Sequence, residues 1–236
     1  MGTVFTFNFL ILLQLLPIFG AFQLGAVAWK PTGRALGVEQ GHYASSFMQI
    51  STEECVIFSA LAQRRSVAKY DSSRKVPSSI VQSALQAAIL APNHFLTEPW
   101  RFYQCGSTTR DVLCTLNEEK RAMFEGVPGW IVVTVATEYD EMGLISTKQG
   151  LEDHAAVACA IQNMMLSFSS DGVGSKWMTG ALGIPPEKIL DAVGADATSE
   201  RFMGAIWFGY PEKPLDPEGR MPPRKLGIKG VLKTLP

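Results

Sequence analysis

From about Ser51 onward the sequence predicts one α+β domain, on three grounds. Apolar patterns of helical period outnumber the branched, strand-like runs. The strands are not joined by repeated short βα units, which argues against a doubly wound dinucleotide fold. Composition is that of a globular chain, with 47% hydrophobic, 10% aromatic and 18% charged residues among 236. The 21 basic residues nearly balance 22 acidic ones, so a net charge of −1 supplies no bulk attraction to nucleic acid or anionic lipid.

The first 50 residues read as an address. Met1 to Trp29 carries no charge, and Val4 to Leu16 has the length and apolarity of a signal-peptide core, closely followed by the small residues Gly20 and Ala21. A signal anchor is the competing reading, weakened by Asn8, Gln14, Pro17 and Gln23. Phe22 to Ile50 then holds Lys30 and Arg34 against Glu39 alone, as a transit region would. A hydrophobic signal, Ala21-Phe22 and such a stretch together resemble the two-part targeting sequence of proteins sent to secondary plastids. The expected organisation is a targeting segment over 1–50, a domain over 51–236, a plastid location with a secreted or endomembrane one as runner-up, and no stable membrane association after processing.

Ser51-Thr52-Glu53-Glu54 has the form of a capping box, and Val56, Ile57, Ala60 and Leu61 continue at helical spacing, predicting a first helix to about Gln63. Pro77-Ser78-Ser79 opens a second helix, whose Ile80, Val81, Ala84, Leu85, Ala88 and Ile89 share a face until Pro92. Trp100 to Cys105 and Trp130 to Thr137 are strands, and 107–125 between them reads as helical. Leu151 to Ser170 predicts a long helix, apolar on nearly every side, that needs cover from a sheet or a second subunit. A short helix over Pro185 to Val193 and a strand over Phe202 to Tyr210 complete the domain. Beyond Tyr210 lie six of the 14 prolines and, after Glu218, five basic residues without an acid, the signature of an extended arm.

The chemistry-bearing residues exclude several classes. No Gly-x-Gly-x-x-Gly follows a strand and no Gly-Lys-Ser/Thr occurs. There are three histidines (His42, His94 and His154), no Gly-x-Ser-x-Gly elbow and no His-x-x-x-His pair, which disfavours a hydrolytic triad and a metal site. His154 reads as a packing or dimer-contact residue. The four cysteines stand 50, 9 and 45 residues apart and read as free, mostly buried thiols. What remains is Arg64-Arg65-Ser66, two guanidinium forks and a hydroxyl suited to a phosphate. An arginine pair after a helix also answers the helix dipole, so both readings stand on these residues alone. Three further features sit beside it: the polar loop Ala91 to Phe102, the turn Gly172 to Gly180 with its backbone amides, and the basic cluster Pro222-Pro223-Arg224-Lys225.

Arg64-Arg65-Ser66, the Ala-Pro…Pro-Trp-Arg-Phe loop, the helix Glu152 to Asn163, the Gly-x-Gly-Ser-x-Trp turn and the terminal basic arm, in that order, resemble the nitroreductase family of FMN-dependent enzymes. The resemblance implies an α+β fold with a mainly antiparallel sheet flanked by helices, and a homodimer that exchanges terminal arms. It also implies electron transfer from NAD(P)H to nitroaromatic, quinone or related small-molecule acceptors by a ping-pong mechanism, with the chemistry on flavin N5, no protein catalytic residue and no metal. Residue by residue, it makes Arg64, Arg65 and Ser66 ligands of the FMN phosphate and ribityl groups and His94 a flavin contact. Trp177, Met178 and Thr179 fall in the turn beside the cofactor, and Arg224 and Lys225 become C-terminal phosphate ligands. Ala68, Leu96 and Glu98 depart from larger members and resemble the minimal subgroup. Two alternatives stand beside this reading: a flavin-remodelling protein of the same fold, and a dimeric interaction module without cofactor.

Overall fold

The computed structural model describes residues 47–49, 56–136, 138, 140, 145–214 and 224–236; of the targeting segment only 47–49 is among them, and the capping box at Ser51 and Cys55 lie outside. A small antiparallel pair, β1 (Phe47–Gln49) and β2 (Val56–Phe58), precedes α1 (Ser59–Gln63). The first helix is therefore shorter than the apolar spacing suggests, because Val56-Ile57-Phe58 is claimed by strand pairing with Phe47 to Gln49. There follow α2 (Ser78–Ala88), β3 (Trp100–Gln104), α3 (Ser107–Thr115), α4 (Arg121–Glu125), β4 (Gly129–Ala136), α5 (Lys148–Ser170), β5 (Gly174–Met178), α6 (Pro186–Val193), β6 (Glu200–Gly209) and α7 (Gly227–Val231).

The main sheet runs β3-β4-β6-β5, antiparallel throughout. Its pleat sorts β4 between two cores. Ile131, Val133 and Val135 meet Val81, Ala84 and Ala88 of α2 and Val157, Ile161, Met164 and Phe168 of α5. Trp130 and Val132 meet Leu113 of α3, Phe124 of α4, Ile189 of α6 and Trp207 of β6. On that second face Phe124, Trp130 and Trp207 form an aromatic cluster, with centroids 5.0 to 5.8 Å apart. Helices thus cover both faces of an antiparallel sheet, as the α+β expectation requires.

Two expectations are corrected. The stretch 107–125 is two helices, because Asn117 breaks it: its side-chain Nδ2 donates to Leu182 O at 3.0 Å, tying the break to the turn after β5. Gly172 to Gly180 holds the edge strand β5, paired from Gly174 to Met178 with β6, and not a turn of exposed amides. Gly174 is there for close approach, since a Cβ would stand 2.5 Å from Val67 Cγ2. Of the three described thiols, Cys114 is buried, Cys105 half-buried and Cys159 exposed, all free.

Candidate functional site

Arg64, Arg65 and Ser66 leave the end of α1 and are docked on β5. Val67 N donates to Ser175 O at 3.1 Å, next to a parallel bridge between Ser66 and Ser175. The same segment is fastened on its other side to the chain leaving β6: Asp71 N donates to Tyr210 O at 2.9 Å and Glu212 N to Lys69 O at 3.2 Å. Buried Tyr70 closes the joint, its hydroxyl donating to Val67 O at 2.8 Å. The start of the domain and the start of the C-terminal arm are therefore built into one corner, beside a cleft of about 260 Å³ lined by Ser66, Lys69 and Lys213 among others.

This corner resolves the two readings of the arginine pair. Arg65 caps the helix, its Nη1 donating to Ala62 O at 2.6 Å and Arg64 O at 3.0 Å. Arg64 does not: its Nη1 is buried with no hydrogen-bond partner among the described residues. Burial, with Arg65 and Arg224 close by, lowers the pKa of Arg64 from its ordinary value. An unmet buried guanidinium donor costs about 1–3 kcal/mol unless something accepts from it. Ser175 Oγ, on the docked strand, is likewise buried and unpartnered. The buried, unpartnered Nη1 of Arg64, with the guanidinium of Arg224 close by from the other end of the chain, fits a phosphate-bearing group.

The other expected residues lie along β5, beside Arg224 and in one separate cluster. Trp177 is half-buried and its Nε1 donates to Met203 O at 2.9 Å. Met178 has its side chain in the core, so only its backbone can face a ligand. Thr179 is exposed just past the strand, with φ −127° and ψ −121°. It lies four residue steps from Ser175, about 13 Å along a strand. Lys225 is exposed beside Arg224. No described contact joins His94 to the arginine corner. His94 sits in an exposed loop and its Nδ1 meets Glu152 Oε2 of α5 at 2.5 Å. That loop stores strain: Phe95, Leu96 and Glu98 have φ of 56°, 53° and 45°, each worth about 1–3 kcal/mol. His154 is half-buried with its Nδ1 unpartnered among the described residues, and burial lowers its pKa.

Glu152, Asp153, Asn93 and Ser175 went unassigned in the sequence. Ser175, Glu152 and Asp153 lie inside the Gly-x-Gly-Ser-x-Trp turn and the Glu152 to Asn163 helix that carry the family resemblance, but no local pattern singles out their side chains.

Comparison with known proteins agrees with this architecture. Residues 61–113 and 107–210 match the nitroreductase family. YfhC of Bacillus subtilis (strain 168), a candidate NAD(P)H nitroreductase by name, is 29% identical over 189 residues, covering 73% of this chain and 93% of its own. A nitroreductase-like family protein of Bacillus cereus superimposes with a TM-score of 0.59 at 25% identity, over 79% of this chain and 99% of that one. A candidate nitroreductase of Desulfovibrio desulfuricans, solved in complex with FMN, gives a TM-score of 0.59 at 24% identity, over 75% and 96%. With the family match spanning more than half of the sequence and the same fold in solved relatives, the chain belongs to the nitroreductase family.

Proposed function

We propose that the protein is an FMN-dependent oxidoreductase that takes electrons from NAD(P)H and passes them, in a ping-pong cycle, to nitroaromatic, quinone or related acceptors. The observation that carries this reading is the orphaned Arg64 donor facing Arg65 and Arg224, which asks for a phosphate. Bound FMN supplies the two-electron redox chemistry. The chain's own residues bind and orient: Arg64, Arg224 and Lys225 answer the phosphate, Ser66 and Ser175 offer hydroxyls, and β5 with Thr179 provides the edge along which a longer ligand extends. Arg65 contributes charge while it caps α1.

A second subunit belongs to this reading. Leu151 on α5 is 61% exposed, Leu90 at the end of α2 80%, and Phe95 and Leu96 in the His94 loop 78% and 81%. So much apolar surface on adjoining elements fits a homodimer in which His94 completes the site across the interface. Among the described residues no helix is long and apolar enough to cross a membrane. For the prefix we propose a cleaved leader and import into a plastid; a fluorescent fusion to residues 1–50 confined to the secretory system would refute it.

The test is the visible spectrum of the purified protein. A flavin band that bleaches when NAD(P)H is added without oxygen supports cofactor and donor together. A colourless protein that takes up no added FMN refutes the reading.

A further inference from the structure

We propose that Glu152 is a positioning residue of this site: its carboxylate accepts a hydrogen bond from His94 Nδ1 and so sets the tautomer and orientation in which His94 meets the cofactor. The inference rests on the FMN reading above. A carboxylate is an acceptor only, so the imidazole nitrogen 2.5 Å from Glu152 Oε2 must carry the proton. In the neutral ring the lone pair then stays on Nε2, the nitrogen turned away from Glu152. Lys148 Nζ stands 3.6 Å from the other oxygen, Oε1, and the hydrogen bond from His94 holds the Glu152 pKa below its ordinary value, so the acceptor stays ionised.

The pairing belongs to a larger clamp. Asp153, the next residue of α5 and buried, accepts from Thr97 Oγ1 at 2.6 Å and from Gln149 Nε2 at 3.0 Å. Asn93 Oδ1 accepts from the Glu98 backbone N–H at 3.3 Å and lies 2.9 Å from Thr97 Oγ1, whose one proton goes to the nearer Asp153. Adjacent carboxylates on one helix thus grip His94 and Thr97, and the residues between them, Phe95 and Leu96, take left-handed backbone conformations that non-glycine residues avoid. His94 also stacks on Phe95, centroids 4.0 Å apart and planes 18° apart. A loop held against its own backbone preference at several points presents one ring in one pose, which is how an orienting partner acts.

The experiment uses the full-length, FMN-loaded protein labelled with nitrogen-15 at histidine, the His94 signals being assigned by their loss in His94→Gln. In the wild type the neutral ring should show a protonated Nδ1 and a bare Nε2. Glu152→Ala should shift the ring toward the Nε2–H tautomer. It should also lower kcat about ten- to a hundredfold, the scale expected when a reacting group is misplaced. KM for NAD(P)H should stay within about twofold, because donor binding itself is untouched. Glu152→Gln, whose amide oxygen still accepts, should keep the Nδ1–H tautomer and most of the rate. An unchanged tautomer in Glu152→Ala with normal FMN content overturns the role of Glu152 alone, as does equal impairment of the Ala and Gln variants. A wild type that holds no FMN overturns the cofactor reading, and with it the place of His94 there.

Discussion

Removing the Arg64 guanidinium should move ligand binding and the stability of the ligand-free fold in opposite directions. In the free protein Nη1 is buried without a partner and Arg65 and Arg224 repel the charge. Arg64→Ala relieves that cost and loses the packing of the aliphatic stem. Because the residue is half-buried only, solvent screens the repulsion and the net gain is at most about 1 kcal/mol. With FMN bound the sign reverses. Charge-assisted hydrogen bonds contribute about 1.5–3 kcal/mol, so the dissociation constant should rise about ten- to a hundredfold. At a fixed excess of FMN the ligand's stabilisation then shrinks by about 1.4–2.7 kcal/mol. At roughly 2–4 °C per kcal/mol for a domain of this size, the FMN-induced rise in Tm should fall by about 3–11 °C. Fluorescence titration of FMN and melting with and without it read both quantities on one preparation. If the free variant loses as much stability as the complex, or FMN affinity is unchanged, Arg64 is a structural residue and the phosphate site lies elsewhere.

Tyr103 Oη lies 2.9 Å from each oxygen of buried Glu200 and donates its one proton to that carboxylate, and burial together with that bond pushes its pKa up to about 12. The folded value lies above the unfolded one of about 10, so this contribution is intact below about pH 10 and is lost as pH rises to about 12. The urea midpoint should fall across that window and Tyr103→Phe should flatten the fall; an identical slope in the variant contradicts the assignment. Gly204→Ala should destabilise the fold by about 2–4 kcal/mol, because φ is +156° and the new Cβ would strike the Trp177 indole nitrogen that holds Met203 O; an unchanged urea midpoint would sink that account. Ala155 lies on the exposed side of α5 beside Leu151, so Ala155→Arg should convert a sedimenting dimer into a monomer with weakened FMN binding. A wild type that sediments as a yellow monomer would defeat the shared-site model.

The elements legible in the sequence were those whose period and bulk agreed. The branched run at Trp130 is β4 to within a residue, the apolar face from Ile80 to Ile89 is α2, which ends at Ala88 ahead of Pro92, and α5 begins only three residues before Leu151. Misreadings came where a residue's role was set by something distant. Val56-Ile57-Phe58 suits a helix or a strand, and pairing with Phe47 to Gln49 decided for the strand. Gly172 and Gly174 look alike as turn formers, yet Gly172 has a φ of 69° while Gly174 is small because Val67 lies on it. Asn117, within a helical pattern, leaves it to bond Leu182 O.

The site divides along the same line. Arg64 and Arg65 are neighbours of one type, and no local pattern says which satisfies the helix end; only the carbonyls of Ala62 and Arg64 around Arg65, and their absence around Arg64 Nη1, separate them. Arg224 joins them from the far end of the sequence through the pairing of Tyr70 with Pro211 and of Asp71 with Tyr210, contacts that hydropathy does not encode. A net charge of −1 supplies no bulk attraction to polyanions. It carried no information about this corner, because a small anion responds to charges within about a Debye length, roughly 8–10 Å, and there the balance is set by which cations the fold brings together. Placing two guanidinium groups near a third whose Nη1 has no partner among the described residues costs stability, a cost that the proposed phosphate would offset.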